Sequence, residues 1–160
     1  MKNWESDRLI TLDLIDEYAS ELFAAQLVAR LSAPLIITLS GDIGVGKTTI
    51  IRAMLRSMGV TSAIKSPTFS LVESYYCQDI HFHHFDLYRI HYEEELEYLG
   101  FRDYFSDESI CCIEWAEHAG NYLPQVDIAC TLNIKGSGRE MHIRASSATG
   151  YEILDGFMGQ

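Results

Sequence analysis

The glycine-rich segment that starts at residue 41 has a pattern suited to binding phosphate. Residues 41–48, GDIGVGKT, match G-x-x-x-x-G-K-[ST] at every position. Glycines let the backbone wrap around a polyphosphate with its N–H groups pointing inward, and the N-terminus of a following helix favours negative charge. The lysine supplies a charge to the β- and γ-phosphates, and the threonine hydroxyl can bind Mg²⁺. The predicted nucleotide-binding residues of this segment are Gly41, Asp42, Ile43, Gly44, Val45, Gly46, Lys47, Thr48 and Thr49. The alternative is a glycine-rich turn that only precedes a helix.

Two carboxylates are candidates for the metal and water chemistry that hydrolysis requires. Glu114 lies at the end of the apolar run SICCIEW, where a buried carboxylate is costly unless it is paired or bound to a metal. We therefore predict that Thr48 and Glu114 bind Mg²⁺. Asp86, in HFDLYR, is predicted to orient the attacking water or to hold metal-bound water, and Lys47, Asp86 and Glu114 form the predicted catalytic set. The alternatives are a solvent-exposed Glu114 and an ion pair between Asp86 and Arg89.

Three further features have candidate roles around the same site. Thr68, in SPTF, precedes a predicted strand; it can reach Mg²⁺ or the γ-phosphate as a nucleotide-sensitive switch, or it can belong to a simple turn. Arg139 follows a flexible Gly-Ser-Gly and can stack on an adenine. The histidines at 81, 83, 84 and 91 are predicted not to form a metal site, because His81 and His83 share one strand face while His84 lies on the other.

The elements that must position these residues alternate between strands and helices. The apolar, β-branched runs at 35–40 and 109–115 predict strands covered on both faces, as in a parallel sheet. Residues 50–58 predict the helix that follows the glycine-rich loop. Two hairpins are predicted, one formed by residues 69–76 and 80–87 and the other by residues 128–135 and 140–144. A short acidic helix is predicted at residues 93–99. We therefore predict one α/β domain over residues 1–160, with a core at about 35–145: a three-layer P-loop NTPase fold whose central sheet is mostly parallel with antiparallel additions.

Both ends of the chain predict helices. Between residues 13 and 31, apolar side chains that include Tyr18 and Leu22 recur at helical spacing, with Thr11 or Asp13 as the N-cap. Residues 146–160 predict a last helix whose role is open.

The composition limits the classes of partner. The chain has 23 acidic and 12 basic residues, a formal net charge of −11, which disfavours direct binding to nucleic acid. Residues 73–117 hold twelve acidic residues against two basic ones, so this stretch is a candidate docking surface for a basic partner, or else a solvated face. Cys111 and Cys112 are predicted to be buried thiols. The absence of a signal peptide and of an apolar run of about 18 residues predicts a cytoplasmic protein with no membrane segment.

Five segments in order carry a family resemblance. GDIGVGKTT, SPTFSLVESY, HFDLYR, LGFRDYF and IEWAEHAG, within residues 35–123, resemble the TsaE family (formerly YjeE), small bacterial P-loop ATPases needed for threonylcarbamoyladenosine modification of tRNA. The resemblance implies ATP and Mg²⁺ as ligands. It implies that Lys47 and Thr48 contact phosphate and metal, that Glu114 is the second metal-linked acid, that Asp86 supports hydrolysis and that Thr68 is switch-like.

The resemblance also implies partners. These are TsaB and TsaD, of which TsaD transfers a threonylcarbamoyl group from its adenylate to the adenosine beside the anticodon of ANN-decoding tRNAs. ATP hydrolysis by TsaE resets the TsaB–TsaD complex between turnovers, and tRNA is reached only through that complex. A weak ATPase stimulated by its partners is therefore expected. The alternatives are a small-molecule kinase, a nucleotide-gated adaptor, and a GTPase, although the guanine-binding pattern N-K-x-D does not occur in the sequence.

Overall fold

A seven-stranded mixed sheet forms the centre of this computed structural model, which describes residues 9–158. The strands lie in the order β1-β7-β6-β2-β5-β4-β3. The central strands β6, β2, β5 and β4 run parallel to one another, whereas β3, β7 and β1 are antiparallel to their neighbours. The predicted α/β fold class is therefore confirmed. The strand bounds are β1 Leu9–Leu14, β2 Leu35–Ser40, β3 Val72–Cys77, β4 Ile80–Asp86, β5 Ser109–Glu114, β6 Ile128–Lys135 and β7 Gly138–Ala145.

Helices cover both faces of the sheet. The larger apolar cluster joins α1, α2 and α4 to one face, and it includes Ile51, Cys112 and Leu154. A second cluster, which includes Phe85 and Phe101, packs α3 and the short 3₁₀ turns on the other face. Two separate clusters on one sheet give three layers. The helix bounds are α1 Glu17–Val28, α2 Lys47–Ser57, α3 Glu95–Leu99 and α4 Ala148–Met158, with 3₁₀ turns at Phe101–Tyr104 and Ala116–Tyr122.

The register of the parallel strands brings the candidate site residues to one edge. Every residue of β5 is buried, as expected for a parallel strand covered on both faces. Its last residue, Glu114, is opposite Leu39 of β2 on one side and opposite Asp86 of β4 on the other. The carboxyl ends of these three strands therefore meet where the glycine-rich loop leaves β2, which is where ligands bind in open α/β sheets.

The start of the chain differs from its prediction. The predicted helix over residues 13–31 begins too early, because β1 extends to Leu14 and pairs with β7. Asp16 caps α1, since its carboxylate accepts a hydrogen bond from the N–H of Ala19 at 2.8 Å. Neither Thr11 nor Asp13 is the N-cap, because both lie within β1.

The buried face of α1 also differs from its prediction. Tyr18 and Leu22 are 67% and 45% exposed, whereas Phe23, Ala24 and Leu27 are buried. Apolar residues occur on all sides of this helix, so their spacing alone does not determine which stripe meets the core.

The remaining elements follow their predictions closely. Two-residue turns close both predicted hairpins, at residues 78–79 and 136–137, and the last helix is present with Leu154 fully buried. Cys111 and Cys112 are buried, as predicted. None of the helices within residues 9–158 combines the length and the apolar character needed to cross a membrane.

Candidate functional site

The glycine-rich loop has a conformation that its glycines require. Gly41 has φ 142°, and a Cβ atom at this position would lie 2.6 Å from the carbonyl oxygen of Leu132, which excludes larger residues. Gly46 has φ 113°, in the region that side chains other than glycine rarely adopt. The side chain of Val45 is 2% exposed and anchors the loop in the core, while Asp42, Ile43 and Gly44 are exposed. The loop is therefore fixed at one point and open to solvent along its outer part.

Lys47 is the first residue of α2 and lies almost fully inside the site. Its side chain is 5% exposed, its Nζ donates a hydrogen bond to the carbonyl oxygen of Gly41, and Nζ lies 4.3 Å from the centroid of the Trp115 ring. Trp115 follows Glu114 with φ 57°, a left-handed conformation that is unusual for a bulky residue. A backbone carbonyl and an aromatic face thus hold the ammonium group next to the phosphate-binding loop.

Thr48 and Glu114 are in direct contact. The Thr48 hydroxyl donates to the Glu114 carboxylate, with Oγ1 3.0 Å from Oε2 and 3.3 Å from Oε1. Glu114 is 3% exposed, so the alternative of a solvent-exposed strand end does not apply. A hydroxyl and a buried carboxylate in contact beside a phosphate-binding loop form a donor set that suits Mg²⁺, which binds few protein oxygens and completes its shell with phosphate and water.

Asp86 lies beside Glu114 on the neighbouring strand. Burial raises the pKa of its carboxyl group above the ordinary value, and the Glu114 carboxylate adds to this shift, while a hydrogen bond from the Tyr88 N–H to Oδ1 at 3.1 Å opposes it. The alternative role of Asp86, an ion pair with Arg89, does not occur among the described residues. The Arg89 guanidinium instead lies 4.5 Å from the centroid of the Phe69 ring. A half-buried carboxylate with a raised pKa is suited to accept a proton from water.

Thr68 lies in the turn before β3, and its side-chain hydrogen bond is with a neighbouring serine rather than with another candidate. Its hydroxyl pairs with the Ser66 hydroxyl at 2.8 Å. This turn is nevertheless connected to the carboxylates, because Leu71 donates from its N–H to the Pro67 carbonyl and accepts at its own carbonyl from the Asp86 N–H at 3.0 Å. The turn and the end of β4 are thus joined through the backbone.

Arg139 lies on the opposite side of the loop from the carboxylates. Its Nε donates to the Val45 carbonyl at 2.7 Å, and one terminal nitrogen donates to the Gly138 carbonyl at 2.8 Å. A cavity of about 270 Å³ adjoins it. The end of β1, the start of α1, the loop, β6 and the β6–β7 turn line this cavity, which also includes Thr49, the last residue of the predicted nucleotide-binding set.

One residue of this site was missed by the sequence analysis. His84 is 1% exposed, and its Nε2 lies 2.6 Å from Oε2 of Glu114. The signal in the sequence is its position two residues before Asp86, which places both on the same face of a strand. His83, on the other face, pairs with the Ser74 hydroxyl at 2.7 Å.

Comparisons with known proteins agree with one another. The family model described as threonylcarbamoyl adenosine biosynthesis protein TsaE matches residues 14–143. A Haemophilus influenzae protein named tRNA threonylcarbamoyladenosine biosynthesis protein TsaE is 37% identical over 92% of this chain and 97% of its own. A Bacillus subtilis protein of the same name is 32% identical over 81% and 82%. The crystal structure of YdiB from Bacillus subtilis superposes with a TM-score of 0.76 at 25% identity, covering 95% of each chain. This chain therefore belongs to the TsaE family.

Proposed function

We propose that this protein is a Mg²⁺-dependent ATPase that acts with TsaB and TsaD in the threonylcarbamoyladenosine modification of ANN-decoding tRNAs, and that its ATP hydrolysis resets the TsaB–TsaD complex between turnovers. Membership of the TsaE family supports the role in this modification and the binding of ATP. The observation that carries the hydrolytic part is the contact of the Thr48 hydroxyl with the buried Glu114 carboxylate at 3.0 Å.

The phosphates of ATP would bind along the loop. Backbone N–H groups from Gly41 to Thr48, the N-terminus of α2 and the Lys47 ammonium all favour negative charge there. Thr48 and Glu114 would hold Mg²⁺, which when bound neutralises charge on the phosphate oxygens. The short distance between these two side chains means that neither has to move far to share one ion.

Asp86 is the proposed water-orienting residue. Its pKa is raised by burial, so it accepts a proton more readily than an ordinary aspartate once it is ionised. One carboxylate oxygen is held by the Tyr88 N–H, which fixes the side chain while the other oxygen stays available for a water molecule.

The nucleoside would occupy the cavity beside Arg139. This cavity adjoins Gly46 and Thr49 on the side of the loop away from Glu114, so a nucleotide whose terminal phosphate faces Glu114 extends towards it. Arg139 is half-buried, and its guanidinium is already engaged with two backbone carbonyls. The guanidinium group would therefore stay in a fixed position at the edge of the cavity, where a base can stack on its plane.

Slow turnover in isolation follows from the openness of the site. Asp42, Ile43 and Gly44 are exposed, so bulk water competes with an ordered attacking water until a partner covers the loop. The proposed docking surface is the acidic groove, which we define by Tyr88, Tyr92, Glu94 and Glu117. It belongs to an open groove of about 880 Å³, which Arg89, His91 and His118 also line. The groove lies beside Trp115, since the Tyr88 ring packs 5.0 Å from the Trp115 ring.

ATP turnover with each partner added in turn tests the proposed function. The protein alone is expected to hydrolyse ATP slowly, and TsaB together with TsaD is expected to raise the rate. Equal rates with and without the two partners would contradict the coupling. A non-hydrolysable ATP analogue should support at most a single round of tRNA modification; repeated cycles with it would instead favour a nucleotide-gated adaptor.

Charge reversal tests the acidic groove. Glu94→Lys with Glu117→Lys should weaken a salt-sensitive complex with the partners. These positions are preferable to Glu93 and Glu95, whose carboxylates accept backbone N–H groups and so support the local fold. Glu21→Lys, at an exposed position of α1 outside the acidic groove, is the control. An affinity that responds to neither the double reversal nor ionic strength excludes this groove as the interface.

A further inference from the structure

A buried histidine that the proposed mechanism does not use lies against its key carboxylate. His84 and Glu114 are 1% and 3% exposed, and Nε2 of His84 is 2.6 Å from Oε2 of Glu114. A hydrogen bond between two buried polar side chains restricts the orientation of both side chains.

The direction of this hydrogen bond follows from its partners. An ionised carboxylate only accepts hydrogen bonds, so the proton must lie on Nε2 of His84. The other ring nitrogen, Nδ1, is buried with no hydrogen-bond partner among residues 9–158. A proton on Nδ1 would leave a buried donor unsatisfied, which costs free energy. The geometry therefore places the donated N–H on Nε2, directed at Glu114.

The two oxygens of Glu114 are consequently not equivalent. Oε2 accepts from both His84 at 2.6 Å and Thr48 at 3.0 Å, whereas Oε1 has only the longer contact of 3.3 Å with Thr48. Two donors on one oxygen fix the rotation of the carboxylate. The less engaged oxygen, Oε1, then stays available on the side of the Thr48 hydroxyl, whose lone pairs remain free because it acts as a donor.

We propose that His84 is a positioning residue that holds the Glu114 carboxylate in the orientation in which Oε1 and the Thr48 hydroxyl bind Mg²⁺ together. This inference rests on the proposed function, in which these two side chains hold the ion. Without the His84 N–H, Thr48 is the remaining donor to Glu114, and the carboxylate can rotate to place both oxygens against it. Mg²⁺ affinity then falls, while the phosphate-binding loop, which His84 does not contact, keeps its affinity for metal-free nucleotide.

Calorimetric titration of β,γ-imido-ATP into the full-length protein, in EDTA and at increasing Mg²⁺, tests this role without turnover. His84→Leu is expected to raise the Mg²⁺ concentration for half-maximal tightening of nucleotide binding by about tenfold, the usual scale for partners of metal ligands. Its affinity in EDTA is expected to stay within about twofold. In His84→Gln an amide N–H can replace the imidazole donor, and the shift is expected to stay below about threefold. His83→Leu, on the opposite face of β4, is the matched control.

Each outcome bears on a different claim. A wild-type Mg²⁺ dependence of nucleotide binding in His84→Leu overturns the positioning role. The role is also overturned if His83→Leu weakens this Mg²⁺ dependence as much as His84→Leu does, or if His84→Gln does so. If His84→Leu fails to fold by circular dichroism, His84→Asn takes its place with the same expectation, because its shorter amide does not reach Glu114. A wild-type protein whose nucleotide affinity ignores Mg²⁺ refutes the proposed metal site instead, so the two failures are distinguishable.

Discussion

The two sides of the phosphate-binding loop are built in different ways. On the carboxylate side, defined by Asp86 and Glu114, polar side chains come from the ends of parallel strands, and the buried Glu114 carboxylate contacts His84 and Thr48. On the hairpin side, defined by the β6–β7 turn and Arg139, antiparallel strands meet the loop through its backbone, since Arg139 donates to the Val45 carbonyl. The carboxylate side has side chains suited to binding metal and orienting water. The hairpin side has a cavity and an arginine that holds the loop by a hydrogen bond.

This difference predicts which step each substitution should affect. Exchanging a carboxylate on the first side changes charge at the reacting phosphate, and its effect should appear in turnover. Exchanging Arg139 on the second side changes how the loop is held before ATP arrives, and its effect should appear in affinity. Lys47 belongs to neither side alone, because it begins α2 directly after the loop and contacts both Gly41 and Trp115.

The largest effect is expected for Lys47→Ala. Loss of the buried ammonium removes the principal positive charge of the phosphate site, so ATP affinity should fall by roughly 100-fold or more, the scale of a lost buried charge pair. Calorimetric titration with ATP and Mg²⁺ measures this loss. Lys65→Ala, at an exposed position before β3, is the control that should bind ATP as the wild type does. Unchanged affinity in Lys47→Ala would mean that nucleotide binds elsewhere.

Glu114→Gln should separate the two sides most clearly. The substitution keeps the shape and removes the charge that Mg²⁺ requires, so partner-stimulated turnover should fall by roughly 100-fold. Metal-free ADP should still bind within about threefold of the wild type, because the hairpin side is untouched. Steady-state turnover and calorimetry give the two values. Glu152→Gln, exposed on α4 and outside the acidic groove, is the control; an equal loss of turnover in this variant would contradict the distinction between the two sides.

The parallel centre of the fold could be predicted because its signals are local. β2 and β5 are continuous apolar, β-branched runs, and the loop between β2 and α2 matches its pattern at every position. The contact of Thr48 with Glu114 then follows from one topological fact, that two parallel strands end at the same edge.

The first elements of the chain could not be predicted in the same way. β1 is stabilised by β7, with Leu9 opposite Arg144 and Leu14 opposite Arg139. Such a pairing between the two ends of the chain leaves no local trace. The same holds for His84: its strand face is evident from the sequence, but its contact with Glu114 depends on the register between β4 and β5.

On the hairpin side, Arg139→Ala should change affinity with little effect on turnover. Losing the hydrogen bond to the Val45 carbonyl leaves a polar group of the loop without its partner and lets the loop move. A loss of about 1.4 kcal/mol corresponds to roughly tenfold weaker ATP binding. Turnover at saturating ATP should stay within about threefold. Arg144→Ala, exposed on the same strand, is the control. A drop in saturated turnover as large as the drop in affinity would show that the two sides are not separable.

The smallest expected effect is on stability, at Asp86. Burial places its folded-state pKa above the ordinary value, so the folded protein binds this proton more tightly than the unfolded chain does. Ionisation of Asp86 therefore lowers the free energy of unfolding as pH rises through the folded pKa. Asp86→Asn removes that penalty and keeps the oxygen that accepts from Tyr88, so its Tm should exceed that of the wild type by about 1–2 °C at neutral pH.

This gain in stability should shrink as pH falls through the raised pKa of Asp86, because the wild-type carboxyl group becomes neutral as well. Thermal unfolding at neutral and acidic pH measures the difference, with the exposed Asp107→Asn as control. A variant that is more stable yet hydrolyses ATP more slowly would indicate that Asp86 is kept on the carboxylate side for chemistry at a cost in stability. An Asn variant that is less stable at neutral pH, or whose advantage grows with acidity, would instead assign Asp86 a structural role.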